Sequence, residues 1–347
     1  MNIIHTADLH LKKATDERIE VLQWLIQKAA RLKVDLFIIA GDLFESDTDA
    51  TILRPDVKKI FEHANTTFLI IPGNHDAKSF SHNYDYGNNV IQLIQTPFEI
   101  IERGEIKMCA VPFQEKKFSE CVRDIPNDID ILIAHGTLYD ESFIFSMLDD
   151  EETKYMPIFP ANLDNLARYV ALGHLHSRNI EKQYGGTKVV YPGSPIALDT
   201  KCVNERVFYF LDVDKNKIDI EPIKIDISSF WQLKEFFVFP GIEKEIINNV
   251  ESYLRGIDNK NIMPTVCIKG FIGEKDKDFN NQINAIKEKY HDKFAELRID
   301  DEEIQSWDKI LQNRMVKTFV EKTMKFEDDL RMKIFEIAFP IFHEALK

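Results

Sequence analysis

Five short polar motifs, each placed directly after a stretch of apolar residues, constrain this chain more than any other feature. The motifs are Asp8-Leu9-His10, Gly41-Asp42, Gly73-Asn74-His75-Asp76, His135-Gly136 and Gly173-His174-Leu175-His176. The apolar stretches before the last four predict buried β-strands, and a shorter mixed stretch predicts another before the first. Loops that leave the carboxyl ends of strands in an open α/β sheet meet at one crevice, so the motifs are expected to form a single site.

The residue types in these motifs are those that bind divalent cations. Seven of them, two aspartates, one asparagine and four histidines, offer oxygen or imidazole nitrogen ligands. Two ions held roughly 3.5–4 Å apart need a bridging carboxylate and neutral ligands around it, and such a pair supports in-line attack on phosphorus. Mixed oxygen and imidazole ligands suit Mn²⁺ and tolerate Mg²⁺ or Fe²⁺. The sequence therefore predicts a two-metal phosphoesterase centre.

Each motif alone has a simpler explanation. A Gly-Asp or an Asp-x-His after a strand is more often a turn, because Gly and Asp adopt turn backbones readily. His5 lies within the first strand and is expected to be a core or supporting histidine rather than a ligand. The occurrence of all five motifs together favours the metal centre over a set of unrelated turns.

The ordered motifs resemble those of the calcineurin-like metallophosphoesterases. The residues in and around the motifs are similar to the SbcD branch of that family, the nuclease subunits of bacterial DNA-repair complexes. The segments that carry the second resemblance are HTADLHL (5–11), AGDLF (40–44), IPGNHD (71–76), VALGHLH (170–176) and YPGSP (191–195). The resemblance covers residues 1 to about 225. It implies an α/β sandwich of two stacked β-sheets flanked by helices, followed by a small α/β cap domain and C-terminal helices.

The resemblance also divides the seven candidate ligands between two ions. It implies that Asp8, His10 and His176 hold one ion. Asn74, His135 and His174 would hold the other, and Asp42 would bridge the two.

Two residues beside the ligands are expected to act in catalysis. His75 lies outside the ligand set and is expected to contact the phosphate and donate a proton to the leaving oxygen. Asp76 is expected either to orient the His75 imidazole or to cap the following turn. One position departs from the SbcD pattern, in which a His often follows Gly-Asp-Leu-Phe, because this chain has Glu45 there. A carboxylate would repel a phosphate unless it is protonated or bound to metal.

Three regions are predicted along the chain: a metallophosphoesterase domain at 1–226, a small α/β capping domain at 227–302, and C-terminal helices at 303–347. In the first region, helices are expected at 16–32 and 57–64, and strands are expected to end before Pro72, Pro112 and Pro192. A hairpin at 207–220 is expected in the second sheet, and the acidic cluster at 149–152 in a solvated loop. The cap resembles by position a domain that helps SbcD-like proteins to position DNA, and a lid without substrate contact is the alternative.

The C-terminal helices carry a wide apolar surface. Trp307, Leu311, Met315 and Phe319 recur every four residues, and two further stripes run from Phe326 to Leu346. Such a surface exceeds what a small core needs. It either packs on the cap or, as in SbcD-like subunits, docks on the coiled-coil base of an SbcC-like ATPase, and the second reading is favoured. Pro340 is expected to end or kink its helix.

Bulk composition narrows the function further. No apolar stretch approaches the roughly 18 residues that span a bilayer, so no membrane partner and a cytoplasmic location are expected. The formal net charge of −14 opposes a protein that coats DNA unaided, because phosphate neutralisation dominates such binding. A partner could supply the DNA-binding surface.

The sequence therefore predicts a metal-dependent DNA nuclease subunit that processes double-strand breaks or hairpins with an SbcC-like ATPase. By resemblance it would be a 3′–5′ exonuclease and single-strand endonuclease, and a homodimer is left open. One alternative is a stand-alone phosphodiesterase acting on nucleotides or small phosphate esters. Another is a binding scaffold with a structural site, against which the additional His75 argues.

Overall fold

The computed structural model describes residues 1–13, 16–140, 155–273 and 277–346. The acidic cluster at 149–152 lies outside these residues. The chain divides into two compact units, Met1–Phe230 and Trp231–Lys347. The separate functional roles given to regions 1–226, 227–302 and 303–347 stay predictions. Among the helices described, none has the length and apolar character that crossing a membrane requires.

The first unit is built mainly from β-strands. In chain order they are β1 (Asn2–Thr6), β2 (Leu36–Ala40), β3 (Thr67–Ile71), β4 (Val90–Gln92), β5 (Glu99–Arg103), β6 (Ile106–Val111), β7 (Ile131–His135), β8 (Tyr169–Gly173), β9 (Ile180–Tyr184), β10 (Thr187–Tyr191), β11 (Val207–Val213) and β12 (Ile218–Lys224). The helices are α1 (Asp16–Leu32), α2 (Asp47–Glu62) and α3 (Phe118–Cys121), with short 3-10 turns at Ala77–Ser79 and Pro160–Asn162.

The strands form two six-stranded mixed sheets. The first has the order β12-β11-β1-β2-β3-β4 and the second the order β5-β6-β7-β8-β10-β9. Strands β1, β2 and β3 are parallel, with α1 and α2 as the intervening crossovers. Side chains alternate along β2, so that Phe37 and Ile39 pack in the helix-side core while Leu36 and Ile38 pack in a core shared with the second sheet. The predicted fold class, two stacked sheets flanked by helices, is confirmed.

Several local predictions for this unit hold and two do not. Helix α1 has the predicted bounds, and β3, β6 and β10 end immediately before Pro72, Pro112 and Pro192. The hairpin β11–β12 was placed in the wrong sheet, because β11 pairs antiparallel with β1 and so covers the edge of the first sheet. Helix α2 begins ten residues before the predicted start at 57 and contains Pro55; Ser46 caps its amino terminus by accepting a hydrogen bond from Asp49 N at 3.1 Å.

The second unit is a small sheet with helices. Its strands are β13 (Phe230–Val238), β14 (Ile262–Ile272), β15 (Arg298–Asp300) and β16 (Ile304–Ser306), and its helices are α4 (Glu243–Gly256), α5 (Lys277–Tyr290), α6 (Trp307–Ile310), α7 (Arg314–Thr323) and α8 (Asp328–Ala345), with a 3-10 turn at His291–Lys293. Helices α4 and α5 share one core with β14.

The C-terminal helices divide their apolar residues between a core and the surface. Phe335 and Phe339 of α8 are buried in a cluster with Phe239 and Phe271. On the same helix, Ile337 is 70% exposed and Ile341 is 63% exposed. One part of the predicted stripe therefore packs within its own unit, while another part is uncovered among the described residues. The helix continues through Pro340, which was expected to end or kink it.

Candidate metal centre

Both sheets of the first unit deliver candidate ligands to one place. In the first sheet, the loops after β1, β2 and β3 carry Asp8, His10, Asp42 and Asn74. In the second sheet, His135 ends β7, and the loop after β8 carries His174 and His176. Strands β7 and β8 are parallel and pair His135 with Gly173, so the ligands of this sheet emerge at the same edge. The convergence predicted from the five motifs is present in the structure.

The candidate ligand atoms fall into two groups that share Asp42. Those of Asp8, His10, Asp42 and His176 lie within 4.8 Å of one another, and so do those of Asp42, His135 and His174. Asn74 joins the second group, since its Oδ1 lies 2.9 Å from His135 Nε2 and 3.0 Å from His174 Nδ1. This grouping has the form that the family resemblance implies. The ligand roles themselves stay a prediction.

Backbone contacts orient the ligands around Asp42. The Nδ1 of His135 lies 2.9 Å from the Ala40 carbonyl, which can only accept, so Nδ1 carries a proton and the ring is held in a fixed orientation. The Asp8 carboxylate accepts from His174 N at 2.9 and 3.0 Å. The Oδ1 of Asp42 accepts from His75 N at 2.9 Å. Each of these three candidate ligands is thus held by the carboxyl end of a different strand or by the loop that follows it.

The second oxygen of Asp42 fits a bridging cation ligand. Asp42 Oδ2 is buried and forms no hydrogen bond among the described residues. His135 Nε2 lies 3.2 Å from it and His10 Nε2 lies 3.7 Å from it. A buried anionic oxygen surrounded by imidazole nitrogens is costly without a cation. The residues present therefore suit a pair of divalent metal ions.

Burial and neighbouring charges shift the pKa values of the cluster in both directions. Although burial opposes protonation of His135, the nearby Asp42 charge raises the pKa of His135 to about 9, so a cation bound here would replace that proton. Burial lowers the pKa of both His10 and His176 to about 3, so these imidazoles are neutral near pH 7, the form that binds metals. Burial raises the pKa of Asp8 above its usual range, and the nearby Asp42 charge adds to that rise. Although burial opposes ionisation of Asp42, the neighbouring His135 holds its pKa well below the usual range. A bound cation would offset the crowding of carboxylates.

The ligand loops adopt unusual backbone conformations. Asp8, His10, Asp42 and His174 all have positive φ, at 56°, 47°, 48° and 111°. Such values cost free energy in non-glycine residues and concentrate at functional sites. Gly41 has φ of +91°, and a Cβ there would lie 2.1 Å from His135 Nδ1. Glycine is therefore required at this position for the two sheets to bring Asp42 and His135 together.

His75 is exposed at the rim of the cluster. Its Nδ1 lies 3.1 Å from the Glu45 carbonyl, and its ring lies 4.7 Å from the His10 ring. The buried Asp76 carboxylate instead accepts from Gly73 N at 2.9 Å and Phe44 N at 3.0 Å. Asp76 forms no side-chain cap with the following 3-10 turn. It fastens the loop that carries Asn74 and His75 to the loop after Asp42.

Glu45 does not present an isolated charge. Its Oε2 accepts from Arg18 Nη1 at 2.8 Å and lies 3.6 Å from His10 Nδ1. Arg18 is buried and also donates to the carbonyl of His10. The arginine therefore compensates the carboxylate that departs from the SbcD pattern.

Sequence reasoning missed two arginines that hold the ligand loops. Arg18 is one, and Arg206 is the other: it is 2% exposed and donates to the carbonyls of His176 at 2.6 Å, Ser177 at 2.9 Å and Ser194 at 2.7 Å. No motif marks either residue. An arginine beside apolar residues usually extends into solvent, so only the fold reveals that these two are buried.

Two phosphatases are among the solved structures to which the chain is similar. The chain resembles the structure of a purple acid phosphatase from yellow lupin (Lupinus luteus) seeds, with 14% identity and a TM-score of 0.43, over 66% of this chain and 52% of that one. The chain thus spans about half the length of the lupin protein. It also resembles a dimetal phosphatase from Danio rerio, with 8% identity and a TM-score of 0.46, over 65% of this chain and 96% of that one.

A model of the calcineurin-like phosphoesterase family also matches the chain. It covers residues 1–178, which carry every candidate ligand described above. Because these residues are more than half of the 347, the chain belongs to the calcineurin-like phosphoesterase family.

Proposed function

We propose that this protein is the nuclease subunit of a DNA-processing complex, a metal-dependent phosphodiesterase of the SbcD type. The observation that carries the phosphodiesterase part is the pair of ligand groups sharing Asp42, with His75 exposed beside them. The SbcD assignment rests on the segments HTADLHL, AGDLF, IPGNHD, VALGHLH and YPGSP. We further propose Mn²⁺ as the native ion and a role in DNA repair in the cytoplasm.

The proposed chemistry divides between the metal ions and one histidine. Bound at the two groups, divalent cations would supply an activated water and positive charge for the phosphoryl oxygens. His75 would protonate the leaving oxygen. Its Nδ1 faces the Glu45 carbonyl, an obligate acceptor, and so must carry hydrogen, which leaves Nε2 as the nitrogen that can give up a proton. Asp76 acts as a positioning residue through Gly73 and Phe44.

The proposed ATPase partner would bind the uncovered side of α8. Phe335 and Phe339 are already buried within the second unit, so they are not free to dock. Leu330, Ile337 and Ile341 lie seven and four residues apart and are 50%, 70% and 63% exposed. Large apolar side chains that recur on an exposed helix are typical of helix-in-groove recognition. We assign the coiled-coil base of an SbcC-like ATPase to this face, while a homodimer stays an open alternative.

A stand-alone phosphodiesterase acting on nucleotides or small phosphate esters is the second candidate. The same metal centre would serve it. The net charge of −14 favours it, because a small substrate needs no long cationic surface.

Substrate comparison separates the two candidates. The full-length protein with Mn²⁺ is assayed on single-stranded DNA, on DNA hairpins and on a small phosphodiester, with and without a co-expressed coiled-coil ATPase. The nuclease proposal expects DNA cleavage that the ATPase stimulates. Hydrolysis of the small ester without any DNA cleavage in the presence of the ATPase would leave the second candidate standing.

A further inference from the structure

A pocket of about 480 Å³ opens beside the metal centre and shares Asn74 with it. Its other walls are the loop after β6, at residues 113–117, and the segment at residues 155–157. The volume lies within the roughly 300–1,000 Å³ typical of small-ligand pockets. A substrate with its phosphate at the metal centre would therefore have room for one of its substituents here.

Two aromatic rings line the pocket. Phe113 is half-buried and Tyr155 is 36% exposed, with ring centroids 5.9 Å apart and planes at 68°. The Tyr155 ring also lies 5.7 Å from the ring of His174, so the aromatic wall is continuous with the candidate ligands. Edge-to-face packing leaves ring surface available for a third aromatic group. Stacking on such side chains is the usual way in which proteins hold unpaired bases.

The backbone ties both rings to the loops of the metal centre. Phe113 N donates to the Pro72 carbonyl at 3.2 Å, immediately before the loop that carries Asn74. Thr137 N donates to the Tyr155 carbonyl at 3.1 Å, two residues after His135. The aromatic wall is thus positioned by the same segments that position the ligands.

Two lysines stand at the same pocket. Lys116 and Lys117 are exposed, and neither has an ion pair or side-chain hydrogen bond among the described residues. Among the described residues that line the pocket, Glu115 is the one that is acidic. In a chain of net charge −14, two unpaired cations beside a phosphoester centre are well suited to a second phosphate group.

We propose that this pocket is a nucleoside subsite, which holds the base next to the scissile phosphate against Tyr155 and Phe113. Lys116 and Lys117 would contact the neighbouring phosphate of the same strand. The proposal rests on the phosphodiesterase function proposed above and deepens it, because it names the residues that would recognise a nucleoside. These four residues are specificity-determining and have no part in bond cleavage.

Two esters with the same leaving group test the aromatic part. Thymidine 5′-(p-nitrophenyl phosphate) and methyl p-nitrophenyl phosphate differ only in whether a nucleoside is present. We expect the Mn²⁺-loaded protein to prefer the nucleoside ester in kcat/KM. Tyr155→Ala should lower this preference by about tenfold, as expected when one stacking ring is removed, whereas Tyr155→Phe should retain it.

The two proposals fail in different ways in this experiment. If neither ester is hydrolysed, the phosphodiesterase function is wrong. If both are hydrolysed with equal kcat/KM, or if Tyr155→Ala keeps the full preference, the function stands and the nucleoside subsite is wrong.

Salt dependence tests the lysines with a readout other than turnover. Metal-free protein is titrated with fluorescently labelled oligothymidylate, and the association constant is followed by anisotropy at several salt concentrations. The double variant Lys116→Gln, Lys117→Gln should reduce the slope of log K against log salt by about 0.7 for each phosphate that a lysine no longer neutralises. Lys215→Gln, in the exposed turn between β11 and β12, is the matched control and should not change the slope. An equal slope in the double variant and the control would refute the phosphate contact.

Discussion

The metal-centre loops of the first unit and helix α8 of the second place their informative side chains in opposite environments. In the loops, carboxylates and imidazoles are buried: Asp8, Asp42 and His135 are 0% exposed. On α8, isoleucines are exposed, at 70% for Ile337 and 63% for Ile341. Burying polar groups and exposing large apolar groups both cost free energy. Both arrangements are therefore typical of sites that bind a ligand or a partner. The buried polar groups suit a cation, and the exposed apolar groups are where we propose that a protein partner binds.

Metal removal should have the largest effect and would break the first half of this comparison most directly. Chelation should reduce hydrolysis of every phosphodiester to background, and Mn²⁺ should restore it better than Mg²⁺. Asp42→Asn should lose metal in elemental analysis, because the buried anion that joins the two groups is gone. Asp85→Asn, on an exposed side chain of the first unit, is the control. Full activity in protein shown to be free of metal would refute the mechanism.

Removing His75 should have the next largest effect. His75→Ala should keep its metal content but lose about 10²–10⁴-fold in turnover, since general-acid catalysis is worth that much. Metal content and kcat are measured on the same preparation. Loss of metal equal to that of Asp42→Asn would show that His75 is a ligand and not a proton donor.

Two substitutions in α8 distinguish exposed apolar residues that could contact a partner from buried ones that stabilise the second unit. Ile337→Glu should weaken association with the ATPase by about tenfold or more without lowering Tm, because burying one such side chain contributes roughly 1.5–3 kcal/mol. Phe339→Ala should instead destabilise the protein by about 3–5 kcal/mol, since Phe339 is 0% exposed. Affinity is measured by titration and stability by thermal unfolding. If Ile337→Glu leaves the affinity for the ATPase unchanged, this face does not bind that partner.

The effect that is smallest at neutral pH concerns His5, a buried histidine outside the candidate ligand set. Burial lowers the pKa of His5 from 6.5 to about 3, and its Nδ1 lies 2.9 Å from the Tyr169 hydroxyl. Between these two pH values the unfolded chain binds a proton that the native protein does not, so stability falls as pH falls from 6.5 towards 3. The slope due to one group reaches about 1.4 kcal/mol per pH unit.

His5→Gln removes this titration while keeping a polar side chain. The variant should show a shallower decline of unfolding free energy between about pH 6 and pH 4 than the parent, as measured by denaturant titration. Parallel curves would show that His5 becomes protonated in the native state.

The two regions also differ in how far the sequence could predict them. The motifs of the first unit are local and follow recognisable strands, so the fold class and the convergence of Asp8, Asp42 and His135 could be foreseen. Burial of Arg18 and Arg206 could not, because each depends on carbonyls brought near by tertiary structure. Strand β11 was assigned to the wrong sheet for a similar reason, since alternating residues specify a strand but not its neighbour.

In the second unit, the helical periodicity of the apolar residues predicted the apolar surface of α8. It could not show which of those residues are buried and which are exposed. Phe335 and Phe342 would have been equal candidates for partner contact from their spacing. The structure buries Phe335 at 5% exposure and packs Phe342 against the same cluster, which leaves Ile337 and Ile341 as the informative positions. The expectation that the helix could end at Pro340 is wrong, because the free-energy cost of proline within a helix can be offset by tertiary packing, whereas the alternative of a kink there stays a prediction.

The sharing of Asp42 between two ligand groups has a thermodynamic consequence. A carboxylate that serves two cations has one negative charge to divide, so occupancy of either position weakens the attraction of the other. Such coupling is reciprocal, whichever position fills first. Calorimetric titration should therefore resolve two unequal steps for a single kind of ion, with negative cooperativity between them. The concentration of free metal would then set the proportion of molecules with both positions filled, and through it the fraction of active protein.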